Sequence, residues 1–178
     1  NMGKATRLPF SGSHIDSTTG DDVFVYMDVF GPHKAPTLEG DKYFVCFMIR
    51  RSRMTYVSLL RRESEVAEAV EAFLNTFFNH FHHLPTKLMC DNATVHASTL
   101  IKAILNRRGV GLRYTVPHCS EQNPAERYIR EITSSARAMM QQAGKMEGRT
   151  MEMWGYAVKA ASYVRNRMPC SANPRQAS

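Results

Sequence analysis

Residues 22–30 read Asp-Val-Phe-Val-Tyr-Met-Asp-Val-Phe, with apolar side chains in both alternating sets of positions. This pattern is typical of a strand that is buried on both faces of a sheet. Asp28 is the exception, because an ionised carboxylate among apolar neighbours is costly unless it is paired or binds a metal ion. Two simpler explanations compete with a metal-binding role: Asp28 faces solvent at a strand end, or it pairs with Arg51 or Arg53 on a neighbouring strand.

Two more strand-like runs, Tyr43–Ile49 and Thr55–Leu60, are joined by a segment containing Arg50-Arg51-Ser52-Arg53 that is short enough for a hairpin. The later patterns predict a helix capped by Ser64, a strand at 87–90, a helix closed by Gly109, a strand at 112–116, and helices at about 124–142 and 153–167. This order predicts an α/β domain with a five-stranded mixed sheet flanked by helices. It is the order of a ribonuclease-H-like fold.

The composition narrows the class of protein. The chain has 178 residues, of which 43% are hydrophobic, and only four cysteines, none in a Cys-x-x-Cys pair. These values exclude a disordered tail, a collagen-like fibre and a disulfide scaffold. No apolar run approaches the roughly 18 residues that span a bilayer. We therefore expect one soluble globular domain in a reducing compartment, with no membrane partner.

The net charge of +7 lies entirely in the last part of the chain. Residues 1–106 carry 11 basic and 11 acidic side chains, whereas residues 107–178 carry 12 basic and 5 acidic ones. Such an excess indicates either a polyanionic partner or a solvated basic face, and the charge alone does not distinguish them.

Two further acids are candidates for chemistry. Asp91 follows a short strand, at the carboxyl end where α/β sheets bind ligands, although an Asx turn would also explain it. Glu126 is the third residue after Asn123 in Asn-Pro-Ala-Glu, which reads equally well as a helix-capping box. On the helix that follows, Glu126 shares a face with Arg130 and Arg137, and Arg127 flanks it. That face suits phosphate binding or simple solvation.

The three acids would come from a central strand, a neighbouring strand end and a helix start. If they converge, their oxygen ligands favour Mg²⁺ or Mn²⁺. Two such ions, about 3.5–4 Å apart, are the usual arrangement for in-line phosphoryl transfer. Spacing along the sequence does not establish the convergence.

Six segments, taken in order, carry a family resemblance. They are residues 3–10, Asp28-Val29-Phe30-Gly31-Pro32, Ser52-Arg53 with the strand after it, Cys90-Asp91-Asn92, Gln122-Asn123-Pro124-Ala125-Glu126-Arg127, and the stretch from Trp154-Gly155 to Asn166-Arg167-Met168-Pro169. Together they resemble the catalytic core of copia-type retrotransposon integrases, within the retroviral integrase superfamily.

The resemblance implies a ribonuclease-H-like fold, a catalytic and metal-binding triad of Asp28, Asp91 and Glu126, and two divalent ions. It implies trimming of a DNA 3′ end and transfer of that end into double-stranded target DNA. Asn123, Arg127, Arg130 and Arg137 are the expected DNA contacts. A homodimer and a location in the nucleus, with cytoplasmic particles before integration, are further expectations.

The resemblance also divides the chain. Residues 1–21 are expected to be a lead-in from a zinc-binding module whose ligands are absent here. Residues 22–170 would be the catalytic core, and residues 171–178 the start of a linker to a C-terminal region.

Three departures support an alternative function. Ala93 replaces a glycine, the single Pro124 replaces a Gly-Val pair and shortens the Asp91–Glu126 spacing by one residue, and Arg50-Arg51 replace an acidic pair. Losing a glycine and gaining a proline stiffens a loop. A decayed or domesticated core that binds DNA or protein without catalysis is therefore the second hypothesis. A ribonuclease H or resolvase is the third, and the six matched segments argue against it.

Overall fold

A computed structural model describes residues 22–91, 99–115, 124–143 and 150–168. The strands form one sheet, as predicted: β1 Phe24–Phe30, β2 Tyr43–Ile49, β3 Thr55–Leu60, β4 Lys87–Asp91 and β5 Gly111–Thr115. The helices are α1 Val66–Phe81, α2 Thr99–Arg108, α3 Pro124–Gln142 and α4 Trp154–Arg165. The predicted α/β class with a five-stranded mixed sheet is confirmed.

The sheet order is β3-β2-β1-β4-β5, with the first strand of the chain in the centre. β1, β2 and β3 form an antiparallel meander. β4 pairs in parallel with β1, and β5 pairs in parallel with β4. Parallel neighbours require crossover connections, and here α1 leads into β4 while α2 links β4 to β5. This topology puts the carboxyl ends of β1 and β4 side by side.

The alternation in β1 divides the core between the two faces of the sheet. Val25 and Met27 are fully buried in the larger cluster, which packs against α1 and α2. Tyr26 and Phe30 point to the opposite face, where α3 and α4 lie. Asp28 lies two residues from both Tyr26 and Phe30, so its side chain points to the same face of the sheet as theirs, the α3–α4 face.

The α4 helix lies unusually close to the sheet at Gly155. A Cβ atom on this residue would lie 2.7 Å from the Cγ2 of Thr37 and 2.8 Å from a methyl of Leu59. Just before Gly155, Trp154 stacks on His33 and donates its indole N–H to the carbonyl of Ala35, at 2.9 Å. The start of α4 is therefore anchored to both β3 and the loop after β1.

Three local predictions need correction. Ser64 does not cap α1: it lies inside a one-turn 3₁₀ helix, Glu63–Glu65, and the side chain of Glu65 instead accepts the backbone N–H of Arg61 at 2.9 Å. The strand predicted from Asp22 begins at Phe24. The last helix spans Trp154–Arg165 and not 153–167, because a 3₁₀ turn, Thr150–Met153, precedes it.

Other boundaries agree closely with the sequence patterns. Gly109 follows α2 with φ of +69°, a left-handed conformation that favours glycine at a helix end. In the described part of the chain, no helix combines the length and apolar character needed to cross a membrane. The predicted lead-in at 1–21 and linker at 171–178 lie outside the described residues.

Candidate active site

Asp28 lies in the central strand, where β1 is paired on both sides. Its Cα is opposite that of Cys46 on β2, and Cys46 is fully buried. One carboxylate oxygen of Asp28 accepts the backbone N–H of Val29 at 2.9 Å. Asp28 itself is partly buried, so its charge has lost much of its hydration.

Asp91 is the last residue of β4 and a direct neighbour of Asp28 across the sheet. Met27 of β1 is in register with Cys90 of β4, and the two strands run parallel. One step further along both strands, Asp28 and Asp91 come side by side on the same face. The side chain of Asp91 is partly exposed.

Glu126 is brought to the same face by the first turn of α3. Ala125 is fully buried, and Tyr128 is 8% exposed, in a cluster with Tyr26 and Met48 of the sheet. These contacts fix the start of α3 above β1 while Glu126 points outward, with half of its side chain exposed. Its Oε1 accepts the guanidinium of Arg130 at 3.1 Å, one helical turn later.

The charges of Asp91 and Glu126 are close enough to influence the Asp28 carboxylate. Burial raises the pKa of Asp28 to about 6, the Val29 N–H opposes this shift, and the charges of Glu126 and Asp91 add to it. The fold therefore collects negative charge at the carboxyl ends of β1 and β4, although the acids are widely separated in sequence.

The donor chemistry of these acids fits a hard divalent cation. Carboxylate oxygens are the ligands that Mg²⁺ and Mn²⁺ prefer. A cation between them would offset the burial of the Asp28 charge and the smaller repulsion by Glu126 and Asp91, which together raise the pKa of Asp28. The described residues contain no group of three or more His, Cys, Asp or Glu side chains arranged to hold a metal ion. Glu126, the third carboxylate, is paired with Arg130.

The two simpler explanations for Asp28 find little support. The residue lies within the strand and is partly buried, not at a solvent-facing end. Within the described ranges, no arginine or lysine forms an ion pair with Asp28. The backbone carbonyl of Arg53 accepts the guanidinium of Arg165 of α4 at 3.1 Å.

The predicted DNA contacts have different environments. Arg127 and Arg130 are exposed and paired with Glu131 and Glu126, respectively, at 2.8 and 3.1 Å. Arg137 is exposed two turns further along the helix. Asn123 lies outside the described residues, and so does its half of the predicted helix cap.

The sequence analysis did not single out Arg165, which connects α4 to α3 on the α3–α4 face. The guanidinium of Arg165 on α4 is 3.1 Å from the carboxylate of Glu131 and lies 3.8 Å from the centroid of the Tyr128 ring. Glu131 thus receives Arg127 and Arg165, which together keep its pKa below the usual range although its partial burial acts in the opposite direction. The spacing of Arg127 and Glu131 along the helix signals the first pair. No sequence signal marks the second pair, which spans 34 residues.

Comparison with protein families identifies one match. The family model described as DDE superfamily endonuclease matches residues 32–147. That range contains Asp91 and Glu126, whereas Asp28 precedes it.

Comparison with curated proteins gives relatives that extend over nearly the whole chain. A retrovirus-related Pol polyprotein from transposon TNT 1-94 of Nicotiana tabacum is 30% identical over 94% of this chain. The corresponding polyproteins from transposons RE1 and RE2 of Arabidopsis thaliana are 28% and 27% identical, also over 94%. The chain spans only 11–12% of the length of these relatives. The predicted resemblance to copia-type retrotransposon proteins is confirmed, and these relatives come from plants.

Proposed function

Because the chain belongs to the DDE superfamily endonuclease family, we propose that it carries out metal-dependent DNA 3′-end processing and strand transfer, integrating retrotransposon DNA into target DNA. The observation that supports the proposal is the adjacency of Asp28 and Asp91 at the carboxyl ends of β1 and β4, where burial raises the pKa of Asp28 and the charges of Glu126 and Asp91 add to the shift. The resemblance to retrotransposon polyproteins supports DNA as the substrate.

In this proposal the three carboxylates hold two divalent cations, Mg²⁺ or Mn²⁺. Such cations, when bound, lower the pKa of an attacking oxygen and neutralise charge on the leaving oxygen of a phosphodiester. Asp28 and Asp91 supply fixed oxygens, because the sheet sets their spacing. Glu126 joins them by leaving Arg130, which costs little, since an exposed pair one helical turn apart contributes at most about 0.5 kcal/mol.

The arginines of α3 have a separate role in the proposal. Once Glu126 turns toward the other acids, Arg130 is available to a DNA phosphate next to the site. Arg127 and Arg137 extend the basic face along the same helix. We assign DNA positioning to these side chains and, by resemblance, to Asn123. Action on chromosomal DNA by a homodimer, in the nucleus, completes the proposal.

A cleavage assay tests it directly. The chain is incubated with a double-stranded oligonucleotide and Mn²⁺, and compared with the Asp91→Asn variant, whose fold is checked by circular dichroism. We expect shortened and joined products from the wild type only. Asp41→Asn is the matched control, because Asp41 lies in the loop before β2, hydrogen-bonded to Thr37, and its loss should leave the products unchanged.

The second candidate is a core that binds without cutting. The observation that favours it is the engagement of Glu126 by Arg130, together with the substitutions Ala93 and Pro124 near the second and third acids. Equal absence of products from the wild type and Asp91→Asn, with DNA binding retained in a gel-shift assay, would establish this alternative for the chain.

A further inference from the structure

The part of the sheet formed by β4 and β5 is less covered than the rest on the α3–α4 face. On this face, α3 packs chiefly on β1 and β2, and α4 packs chiefly on β3. Ala125 and Tyr128 of α3 reach as far as the partly buried Met89 of β4. On the next strand, Arg113 of β5 is exposed. This part of the sheet is therefore a surface beside the candidate acid site.

The register of the strands fixes the direction of the side chains on this surface. Tyr26, which packs with α3, is in register with Met89, and Met89 is in register with Arg113. Residues in register on paired strands point to the same face of a sheet, as do residues two positions apart on one strand. Arg113 therefore projects from the same face as Asp91, which lies two residues after Met89.

Lys87, the first residue of β4, lies on the same surface. It is in register with Phe24 of β1 and with Gly111 of β5, and its Nζ is 5.0 Å from the centroid of the Phe24 ring. A Cβ atom on Gly111 would lie 3.2 Å from the Cγ of Lys87, so the glycine leaves room for the lysine stem. We call the surface formed by Lys87, Met89 and Arg113 the β4–β5 strip.

The two cations of the strip have little negative charge to compensate them. Arg113 forms no ion pair with any other residue that the structure describes. The ammonium group of Lys87 is 3.9 Å from the carboxylate of Asp22, which is longer than a hydrogen bond. By contrast, Arg127 and Arg130 of α3 are each paired with a glutamate, at 2.8 and 3.1 Å. Arg113 is thus the exposed guanidinium that is ready to take an external anion.

We propose that the β4–β5 strip positions the DNA strand that carries the scissile phosphodiester, with Arg113 as its principal phosphate contact. The inference rests on the proposed function, because it takes DNA as the substrate. A guanidinium group can bind a phosphate through two parallel hydrogen bonds, so an arginine sets both the distance and the orientation of the strand. Arg113 is a positioning residue, since it holds the strand away from the reacting atoms.

Strand geometry locates the contact relative to the acids. With a rise of about 3.3 Å per residue and about 4.8 Å between strands, the Cα atoms of Arg113 and Asp91 lie about 8 Å apart. Lys87 precedes Asp91 by about 13 Å along β4. One strand of DNA advances about 3.4 Å per nucleotide, so the strip spans about four nucleotides. We expect Arg113 to contact a phosphate about two nucleotides from the cut, and Lys87 one about four nucleotides away.

Protection of the sheet edge is the competing explanation for Arg113. β5 is an outer strand, and a charged side chain on an outer strand discourages pairing with another chain. A charge on either face of β5 would serve that purpose. Edge protection therefore does not account for the position of Arg113 on the face that contains the acids.

Salt-dependent DNA binding tests the inference without requiring catalysis. Fluorescence anisotropy measures the Kd for a labelled duplex in EDTA, so that no cleavage occurs, at several salt concentrations. Arg113→Gln should weaken binding about fivefold and reduce the slope of log Kd against log salt by about one, because one phosphate contact is lost. Lys102→Gln is the matched control: it removes the same charge from an exposed position on α2, behind the sheet, and should change Kd by less than about twofold.

Neutral phosphates locate the contact along the DNA. Duplexes with a single methylphosphonate at successive positions on both sides of the cut are compared in the cleavage assay with Mn²⁺. We expect the wild type to lose most activity when the neutral group lies about two nucleotides from the cut. The same duplex should cost Arg113→Gln nothing further, because its contact with that phosphate is already absent. Thermal unfolding checks that the variant is folded.

Two outcomes would overturn the inference. One is an affinity and a salt slope of Arg113→Gln that equal those of Lys102→Gln. The other is self-association of Arg113→Gln in size-exclusion chromatography with unchanged DNA binding, which would assign the residue to edge protection. If DNA binding depends on Arg113 but the wild type gives no products, the proposed function fails while the DNA contact stands, so the two failures are distinguishable.

Discussion

The two faces of the central sheet are built from the same strands but differ in chemistry. The face toward α1 and α2 contains the larger core, in which Val25, Met27, Leu74 and Leu88 are fully buried. The face toward α3 and α4 has two smaller clusters, and the Asp28 carboxylate is directed toward it. In β1, successive side chains point to opposite faces of the sheet, so neighbouring residues of one strand lie in the two different environments.

This difference indicates that one face mainly stabilises the fold and the other contains the candidate site. The α1–α2 face contributes apolar burial without any candidate catalytic group, whereas the α3–α4 face keeps like charges together at a cost in stability. Such a cost is typical of functional sites, where a favourable arrangement for a ligand is unfavourable for the folded protein alone. Truncation of a buried apolar side chain on the α1–α2 face should therefore lower stability, whereas removal of the Asp28 charge on the α3–α4 face should raise it.

The largest expected effect is on the apolar face. Leu74→Ala removes a fully buried side chain from α1 and should lower the free energy of unfolding by about 3 kcal/mol, because it loses apolar burial and leaves a cavity. Urea denaturation measures the change. Leu100→Ala, at a site on α2 that is 57% exposed, is the control and should change stability by less than about 0.5 kcal/mol. Equal effects of the two substitutions would contradict the assignment of this core.

On the opposite face, removal of a charge should stabilise the protein. Asp28→Asn should raise the free energy of unfolding by about 2 kcal/mol at pH 7 without metal. The substitution removes a negative charge whose burial, together with repulsion by Glu126 and Asp91, raises the pKa of Asp28 to about 6. The same variant should lose the proposed DNA cleavage. Destabilisation by Asp28→Asn would show that the carboxylate is satisfied by a partner and would weaken the three-acid site.

The pH dependence provides an independent measurement of the same charge. The pKa of Asp28 is higher in the folded chain, about 6, than the ordinary 3.8, so the folded state binds more protons between these values. The contribution of Asp28 to stability is therefore fully present below pH 3.8 and is lost as the pH rises through 6. The stability difference between Asp28→Asn and wild type should be largest above pH 7 and nearly vanish at pH 4. A constant difference across this range would be inconsistent with titration of Asp28.

The smallest predicted effect is a difference in stability between substitutions of two arginines, Arg165 in the last turn of α4 and Arg167 just after it. Arg165→Ala should destabilise the chain by about 1.5 kcal/mol, since Arg165 packs on Tyr128 and bridges Glu131 to the carbonyl of Arg53. Arg167→Ala, which removes a guanidinium lying over the exposed Tyr163 ring, should cost less than about 0.5 kcal/mol. Thermal unfolding at one pH compares them, and indistinguishable midpoints would contradict a structural role for Arg165.

Local periodicity was sufficient to predict most of the fold. The predicted bounds of β2, β3 and α3 coincide with the observed Tyr43–Ile49, Thr55–Leu60 and Pro124–Gln142. These elements have strong apolar patterns, and β2 and β3 are each followed by an arginine while α3 begins at a proline. The start of α1 was predicted less well, because Ser64 has the composition of a cap while the reciprocal Arg62 and Glu65 contacts form the actual turn.

The candidate site was only partly accessible to sequence reasoning. Asp28, Asp91 and Glu126 stood out as acids at a strand, a strand end and a helix start, but their proximity depends on the parallel register of β1 and β4. The contact of Arg165 with Glu131 had no counterpart in the sequence analysis, since the two residues are 34 positions apart.

The sequence by itself determined the order of the elements, the parity that directs Asp28 to one face and the location of the positive charge, because each depends on neighbouring residues and on repeats of two or 3.6 positions. Only the tertiary structure decided which charges meet. Parallel pairing placed Asp91 beside Asp28, and the packing of α4 on α3 brought Arg165 to Glu131. Contacts of this kind follow from the geometry of packed layers, which no local pattern in the chain encodes.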